Sequence, residues 1–438
     1  MKITERMVRF GLCTMIALSF YLSYLIWWSP ATKDTTLVNE VETDARTELN
    51  VKDASEVFLP LRLTRIDQET IDETNTESLV KKFQTDIANA QFETAHVKKY
   101  DSAEDFATQT QLDEGVELAY AAAMPMSSYL DTFHITLPMS EEMEQETEFL
   151  RIQIDFKKEK IRFLNRNKLT VLEAKVLSGM NEFKHTVKNN AAEWVAVFRD
   201  PGYRSYQYYT VEPVKLKMYS YISSTRPYTV FRDSFFTNPK NVRSNDGTAN
   251  LNFYDGTESM TIQQEQQQID FRSVIRTDHH FDIYATSYNY IRGLGTNYGS
   301  LRLFDQSKNT IDYRIFVEGF PVFSDRAEGK ITVRFSENGQ LNQKNIEIKA
   351  NLNTIQVPIP SEREVTLPSS YEIVQNLYLH GAEYEKLNMI VIGYGWKNIQ
   401  DTGVIDLEPN WYIQYENTWY SYEQLLAYLE ESGETNGF

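Results

Sequence analysis

From Phe10 to Trp28 the chain carries no charged residue. As a helix rising 1.5 Å per residue, these roughly 19 residues span a hydrocarbon core of about 30 Å. Lys2, Arg6 and Arg9 lie on the amino side, Trp27 and Trp28 close the run, and Ser29-Pro30 follows. Basic flanks face the cytoplasm, indole rings favour the membrane interface, and proline cannot continue a helix. A cleaved signal peptide needs a shorter apolar stretch, roughly 7–15 residues, and small residues at the cut. A lipoprotein signal needs a small residue before its cysteine, whereas Leu12 precedes Cys13, close to the start of the run. The pattern predicts an uncleaved single-pass anchor in the cell membrane. Residues 1–9 are then cytoplasmic, 10–28 form the transmembrane helix, and the C-terminal ectodomain is extracytoplasmic. Gly11, Met15, Ser19 and Ser23 recur at four-residue spacing. Small residues let helices approach closely in lipid, so these four are the candidate helix-contact residues. The competing explanation is that Ser and Gly are common in any such helix.

The remainder reads as a multi-domain α+β ectodomain of antiparallel sheets with packed helices. A chain of 438 residues suggests two to four folded units. Residues 29–54 are polar and rich in Thr, Glu and Asp, which predicts a flexible stalk. An N-terminal α+β domain is expected over 55–212. Its signals are a strand over Val57 to Leu63, a helix over 77–90, and a half-buried strand over 149–157. In that last strand Leu150, Ile152, Ile154 and Phe156 alternate with Arg151, Gln153 and Asp155. A polar turn to Ile161–Leu164 makes it a hairpin. A central α+β domain over 213–275 carries a helix near Val230 to Phe236 and a hairpin turning at Asp255-Gly256. The Gln263–Gln268 run reads as a solvated continuation of that hairpin. The C-terminal α+β domain, 276–438, opens with a helix at 282–292. Strands follow near 300–305, 311–319, 329–336 and 344–350. The last helix starts with a capping box, Ser421 and Gln424, and ends before Gly433.

A search for chemistry returns little. The net charge of -18 repels phosphate backbones, so nucleic acid is excluded as a partner. The single cysteine, Cys13, allows no intramolecular disulfide, and a cysteine-free ectodomain points to a bacterium. Among the six histidines only His279 and His280 are close, flanked by Asp278 and Asp282, and neighbours on a strand face opposite ways. Ser78 and Lys81 match Ser-x-x-Lys, and Ser287-Tyr-Asn289 resembles the second motif of penicillin-interacting enzymes, but no Lys-Thr-Gly follows. Ser78 is better explained as a helix cap. Gly293/Gly295 and Gly393/Gly395 lack the third glycine of a phosphate loop. Neighbouring carboxylates such as Glu104 and Asp105 are expected in any acidic chain. No catalytic residue, cofactor or metal ligand set is predicted, which favours binding over catalysis. The rival classes are an anchored cell-envelope enzyme and a ligand-binding sensor.

Several segments, in order, resemble the YycH family. They are the basic start and single apolar helix, Glu56 to Pro60, Phe231 to Phe236 with Asn238-Pro239, and Asn252 to Gly256. Tyr313 to Phe323 and Gly329 to Val333 complete the series. The resemblance implies an accessory regulator of the WalK/WalR two-component system of Gram-positive bacteria, linked to cell wall homeostasis. It implies a sensor histidine kinase of WalK type and a YycI-like protein as partners, contacted through the transmembrane helix and ectodomain. It also implies that the C-terminal domain is YycI-like.

Overall fold

The computed structural model describes residues 15–16, 18–20, 51–68, 70–188, 192–200, 207–246, 250–277, 281–295, 299–400 and 402–435. Met15, Ile16, Leu18, Ser19 and Phe20 are helical and exposed. The rest of the Phe10–Trp28 segment, with Gly11 and Ser23, lies outside the described residues, as does most of the stalk. No helix among the described residues is long and apolar enough to cross a membrane. Residues 50–438 form one compact unit, described below.

Its first sheet draws on β1 (Arg62–Asp67), β2 (Thr70–Thr74), β3 (Gln91–Phe92), β4 (His96–Lys99) and β5 (Glu114–Pro125). It is completed by β6 (Glu148–Asp155), β7 (Lys160–Asn165), β8 (Thr170–Ser178), β9 (Val195–Arg199) and β10 (Tyr208–Thr210). The order is β10-β9-β2-β1-β5-β6-β7-β8-β3, with β4 also on β8. The helices here are α1 (Ala54–Val57), α2 (Glu77–Asn89), α3 (Ala103–Thr110), α4 (Met126–Phe133), α5 (Glu141–Glu146) and α6 (Met180–Val187). Cross-strand register places Leu63, Leu118, Ile152, Phe163 and Leu172 in one row. All five are buried, and so are Leu79, Val80, Phe83 and Ile87 of α2. Each such side chain contributes roughly 1.5–3 kcal/mol on leaving water. Phe83 meets Phe183 of α6 with ring centroids 5.4 Å apart.

Two expectations need correction here. The Val57–Leu63 stretch is not one strand, because α1 ends at Val57 and β1 begins at Arg62. The carbonyls of Leu59 and Pro60 are instead taken by Arg302, at 3.2 and 2.6 Å, and Pro60 has no N–H to give a ladder. The 149–157 strand is buried on both faces, since Arg151, Gln153 and Asp155 are as enclosed as their apolar neighbours. The polar face lies under α3 and a later strand: Arg162 donates to Gln109 O at 3.2 Å and Arg166 to Asn388 O at 3.4 Å. These buried charges have partners, as burial demands. Glu117 pairs with Arg151 and accepts from Gln153 at 2.8 Å, while Arg162 lies 3.4 Å from Asp155.

The second half supplies β11 (Val214–Lys217), β12 (Tyr219–Thr225), β13 (Arg243–Asp246), β14 (Asn250–Asp255), β15 (Glu258–Gln263) and β16 (Gln268–Arg276). Next come β17 (Ser300–Ser307), β18 (Thr310–Val317), β19 (Phe320–Phe323), β20 (Lys330–Glu337) and β21 (Gln343–Asn351). The last strands are β22 (Asn353–Ile359), β23 (Glu364–Leu367), β24 (Leu387–Ile399), β25 (Val404–Tyr415) and β26 (Thr418–Ser421). A long ladder runs β13-β14-β15-β16-β21-β20-β18-β19-β24-β25-β12-β22, with β17 on β18 and β26 on β25. β11 and β23 form a separate ribbon. Every pairing is antiparallel except β19 with β24. The helices are α7 (Tyr228–Phe235), α8 (Ile283–Ile291), α9 (Ser370–Leu379) and α10 (Tyr422–Thr435).

Turn chemistry explains much of this order. Gly256 turns β14 into β15 at φ 58°, and Glu416 and Asn417 turn β25 into β26 at 50° and 64°. The capping box is present: Gln424 N donates to Ser421 Oγ at 3.2 Å and Ser421 N to Gln424 Oε1 at 2.9 Å. Two details differ from expectation. Gln264–Gln267 form the turn between β15 and β16 rather than a strand face, and α10 passes through Gly433 to Thr435. One apolar cluster extends from Val57 to Leu407 through both sheets, and a second lies under α9 and α10.

Candidate functional site

The structure keeps the sequence's chemical candidates apart. Lys81 is held by Glu56 at 2.6 Å, a bond that raises its pKa, so it is not a base for Ser78. Ser78 is not the cap of α2 either, because Thr76 holds that position. Gly393 lies inside β24, where an added Cβ would fall 2.6 Å from the Phe323 ring, so it makes no phosphate loop. Gly295 closes the turn after α8 at φ 67°, as a helix C-terminal glycine does. Asp282 caps α8 and accepts from Ser128 Oγ at 2.6 Å, while Asp278, His279 and His280 lie outside the described residues. No group of three metal-ligating side chains occurs among the described residues.

What the fold does build is a junction between the first sheet and the second half of the chain. On one side it is closed. Arg302 on β17 is 2 % exposed and gives Nη2 to the Leu59 and Pro60 carbonyls. Its Nη1 lies 3.7 Å from Glu77, and its guanidinium lies 4.3 Å over the Phe316 ring. Burial lowers its pKa to about 10. Nearby, Lys52 reaches the Gly299 carbonyl, and burial lowers its pKa to about 8. A separate buried carboxylate, Asp305, ties β17 to the last hairpin. It accepts from Trp419 Nε1 at 2.7 Å and Gln414 Nε2 at 3.0 Å. Burial, outweighing those bonds, pushes its pKa up to about 6.

On the other side the junction opens into a cleft of about 1210 Å³. Its walls come from β1, β2 and β9 on one hand, and from the β18–β19 turn, the β11–β23 ribbon and β24 on the other. Arg62, 5 % exposed, lines it and gives Nη1 to Glu73 at 3.1 Å. Arg62 Nε and Nη2, and Glu73 Oε2, have no hydrogen-bond partner. Asn75 joins the walls, donating to Leu61 O at 3.1 Å while its own carbonyl meets Gly319. A Cβ on Gly319 would fall 1.9 Å from that oxygen, so only glycine fits at this φ of 82°. Glu318 and Gly319 are the two-residue turn between Val317 and Phe320, both at positive φ. Glu318, like Glu416 in the β25–β26 turn, takes the first left-handed place of a two-residue turn and is exposed at the cleft. Behind it Tyr394 meets Tyr219 and Phe320 edge-on, with centroids 5.5 and 6.1 Å apart. Tyr219 has its pKa raised by burial first, then by Glu318, Tyr221 and Glu193.

Of the sequence candidates, Ser78 and Lys81 line this cleft; the other residues named here were not candidates, although Glu318-Gly319 lies inside the Tyr313–Phe323 motif and reads as a two-residue turn between strand-like runs.

The body is thus α+β, built of antiparallel sheets with packed helices, and it carries an open cleft. Residues 7–192 match the N-terminal domain of YycH protein, and residues 204–429 match its C-terminal domain. The chain therefore belongs to the YycH family, a family of regulatory proteins of two-component systems. Its fold is similar to that of YycH from Bacillus subtilis in a crystal structure, at TM-score 0.66 and 17% identity. That match covers 85% of this chain and 97% of the other. The curated proteins give no match.

Proposed function

We propose that this protein is a membrane-anchored accessory regulator of a WalK-type sensor histidine kinase, acting beside a YycI-like protein. The reading rests on one observation above all. The family match over residues 7–192 includes the uncharged Phe10–Trp28 run, which supports reading that run as part of the protein's working body. In this reading the run spans the cell membrane, and the ectodomain lies outside the cytoplasm. A partner biases a kinase only by touching its two signalling states unequally. Gly11, Met15, Ser19 and Ser23 form the stripe that lets this helix approach the kinase helices closely, and the ectodomain sets how that helix is presented.

The test is a double substitution, Ser19→Leu with Ser23→Leu, in the full chain. In-membrane crosslinking to the kinase is expected to fall at least about five-fold, the lower end of typical coupling between sites. The melting temperature of the ectodomain stays unchanged. Crosslinking at the wild-type level would refute the helix contact. The enzyme reading has no support at its best serine, since Lys81 is committed to Glu56. A ligand-sensing role does have a specific observation in its favour, the cleft.

A further inference from the structure

We infer that Asn338, at the tip of the β20–β21 hairpin, is a site of spontaneous covalent modification. The Gly339 main-chain nitrogen displaces the Asn338 side-chain amide, and water completes the conversion to aspartate and isoaspartate.

Five residues, Asn338 to Asn342, join β20 to β21. Asparagine followed by glycine suits a tight turn, because both tolerate backbone conformations that other residues resist. The same pairing is chemically reactive. The side-chain carbonyl of an asparagine lies near the next main-chain nitrogen, close enough to close a five-membered ring, and glycine has no side chain to shield that nitrogen. The other Asn-Gly pair of the sequence, Asn436-Gly437, lies outside the described residues.

What the structure adds is an unprotected tip. Gly339, Gln340 and Leu341 are exposed, Leu341 at 91 %. Gly339 stands at φ 77°, and a Cβ built there would meet nothing within 4 Å, so the ring has room to form. Gly339 makes no hydrogen bond among the described residues, so its N–H is free to react. The loop is held at its two ends alone. Asn338 Nδ2 donates to Gln343 Oε1 at 2.9 Å, Asn345 Nδ2 to Glu337 O at 3.1 Å, and Thr277 N to Asn342 O at 2.9 Å. The first of these joins two surface amides, and water replaces such a bond at little cost. Asn342 belongs to the same loop but precedes Gln343, whose side chain crowds its own nitrogen and whose main chain is paired with Arg276 in the sheet.

Each step balances. Gly339 N bonds to Asn338 Cγ and gives its proton to the departing amide, the Cγ–Nδ2 bond breaks, and ammonia leaves. Water then adds to one of the two carbonyls of the cyclic imide. Opening at one gives aspartate, and at the other isoaspartate, whose main chain is longer by one methylene. The sequence of steps consumes water and needs no oxidant or reductant. Hydroxide promotes the first step by drawing off the N–H proton, so the rate rises with pH. The product sets a second carboxylate beside Glu337, which holds Lys344 at 2.5 Å. The hairpin tip therefore gains charge as the molecule ages, whatever partner the body contacts.

The test holds the full chain in detergent at mildly alkaline pH and follows its tryptic peptide Phe335–Lys344 by mass spectrometry. The peptide is expected to gain the mass difference between an amide and an acid, with fragment ions placing the change at Asn338 and leaving Asn342 intact. A loop tip whose opening costs almost nothing should react within about ten-fold of the free synthetic peptide. Gly339→Ala, which sets a methyl group beside the attacking nitrogen, should slow the reaction at least about ten-fold. Asn338→Gln should abolish the change while leaving the melting temperature as it was. A folded chain more than about ten-fold slower than the free peptide, a change located at Asn342 instead, or a Gly339→Ala variant as fast as the parent would each overturn the inference.

Discussion

Arg302 and Arg62 both stand where the first sheet meets the second half of the chain, and both are almost fully enclosed. Arg302 commits one nitrogen to two carbonyls, directs another toward Glu77 and lies over Phe316, so that side of the junction is sealed. Arg62 has one acidic partner and keeps two nitrogens unmatched, on the side where about 1210 Å³ stays open. The same residue type thus serves as a staple in one place and as an unsatisfied wall in the other. What separates them is the covering backbone. Leu59 and Pro60 leave the ladder and turn their carbonyls onto Arg302, whereas the Arg62 guanidinium donates only to the Glu73 side chain among the described residues.

The sharpest way to break this contrast is at the hinge point between the two sides. Gly319→Val places a branched side chain against the Asn75 carbonyl in a left-handed conformation. The combined strain and overlap should cost roughly 4–5 kcal/mol, read as a collapse of the urea midpoint. Arg302→Met comes next. It leaves the Leu59 and Pro60 carbonyls without their donor, at a cost of about 3–4 kcal/mol by chemical denaturation. Arg62→Met strands the largely buried Glu73 carboxylate and should cost about 3 kcal/mol in the same assay, but adding Glu73→Gln should recover most of that loss, whereas the main-chain carbonyls left by Arg302→Met have no such rescue; failure of the double variant to recover would erase the distinction.

The smallest effect is a pH dependence. Asp305 has its folded pKa raised from 3.8 to about 6. A raised pKa means the folded state holds the proton more tightly. The associated stability is complete below about pH 4 and is lost as pH rises through 6. The two-unit shift corresponds to roughly 2–3 kcal/mol for this well-buried group. Asp305→Asn should remove that slope between pH 4 and 7, seen by comparing melting temperatures of the two proteins across the range.

Much of the fold was legible. Periodicity found α2 through Leu79, Val80, Phe83 and Ile87, and turn residues located the β14–β15 hairpin and the Ser421 cap. Alternation also ordered Arg151 to Phe156 correctly by face, but Leu150 lies beside Arg151 and Gln153 while Phe149 enters the core, because the ladder shifts register there. Alternation could not say that α3 and β24 would cover the polar side, because burial depends on contacts far along the chain. The same reason hid the cleft. Arg62 and Glu73 are diagonal neighbours on paired strands, Glu73 lying opposite Thr64, but Glu318 and Tyr219 reach the site from distant segments. Val57 to Leu63 was misread because its apolar content reports burial alone, while its backbone conformation is set by Arg302, some 240 residues on.

The parallel contact of β19 with β24 consists of two residue pairs, Val322 with Tyr394 and Phe323 with Gly395. The long ladder is therefore joined at its middle less by main chain than by rings. Phe323 stacks on Tyr412 at 3.6 Å, and Phe304 and Trp419 lie against them. Phe323 thus joins the two flanks twice, by main chain to Gly395 and by its ring to Tyr412, so truncating that one side chain would loosen the seam from its ring side alone.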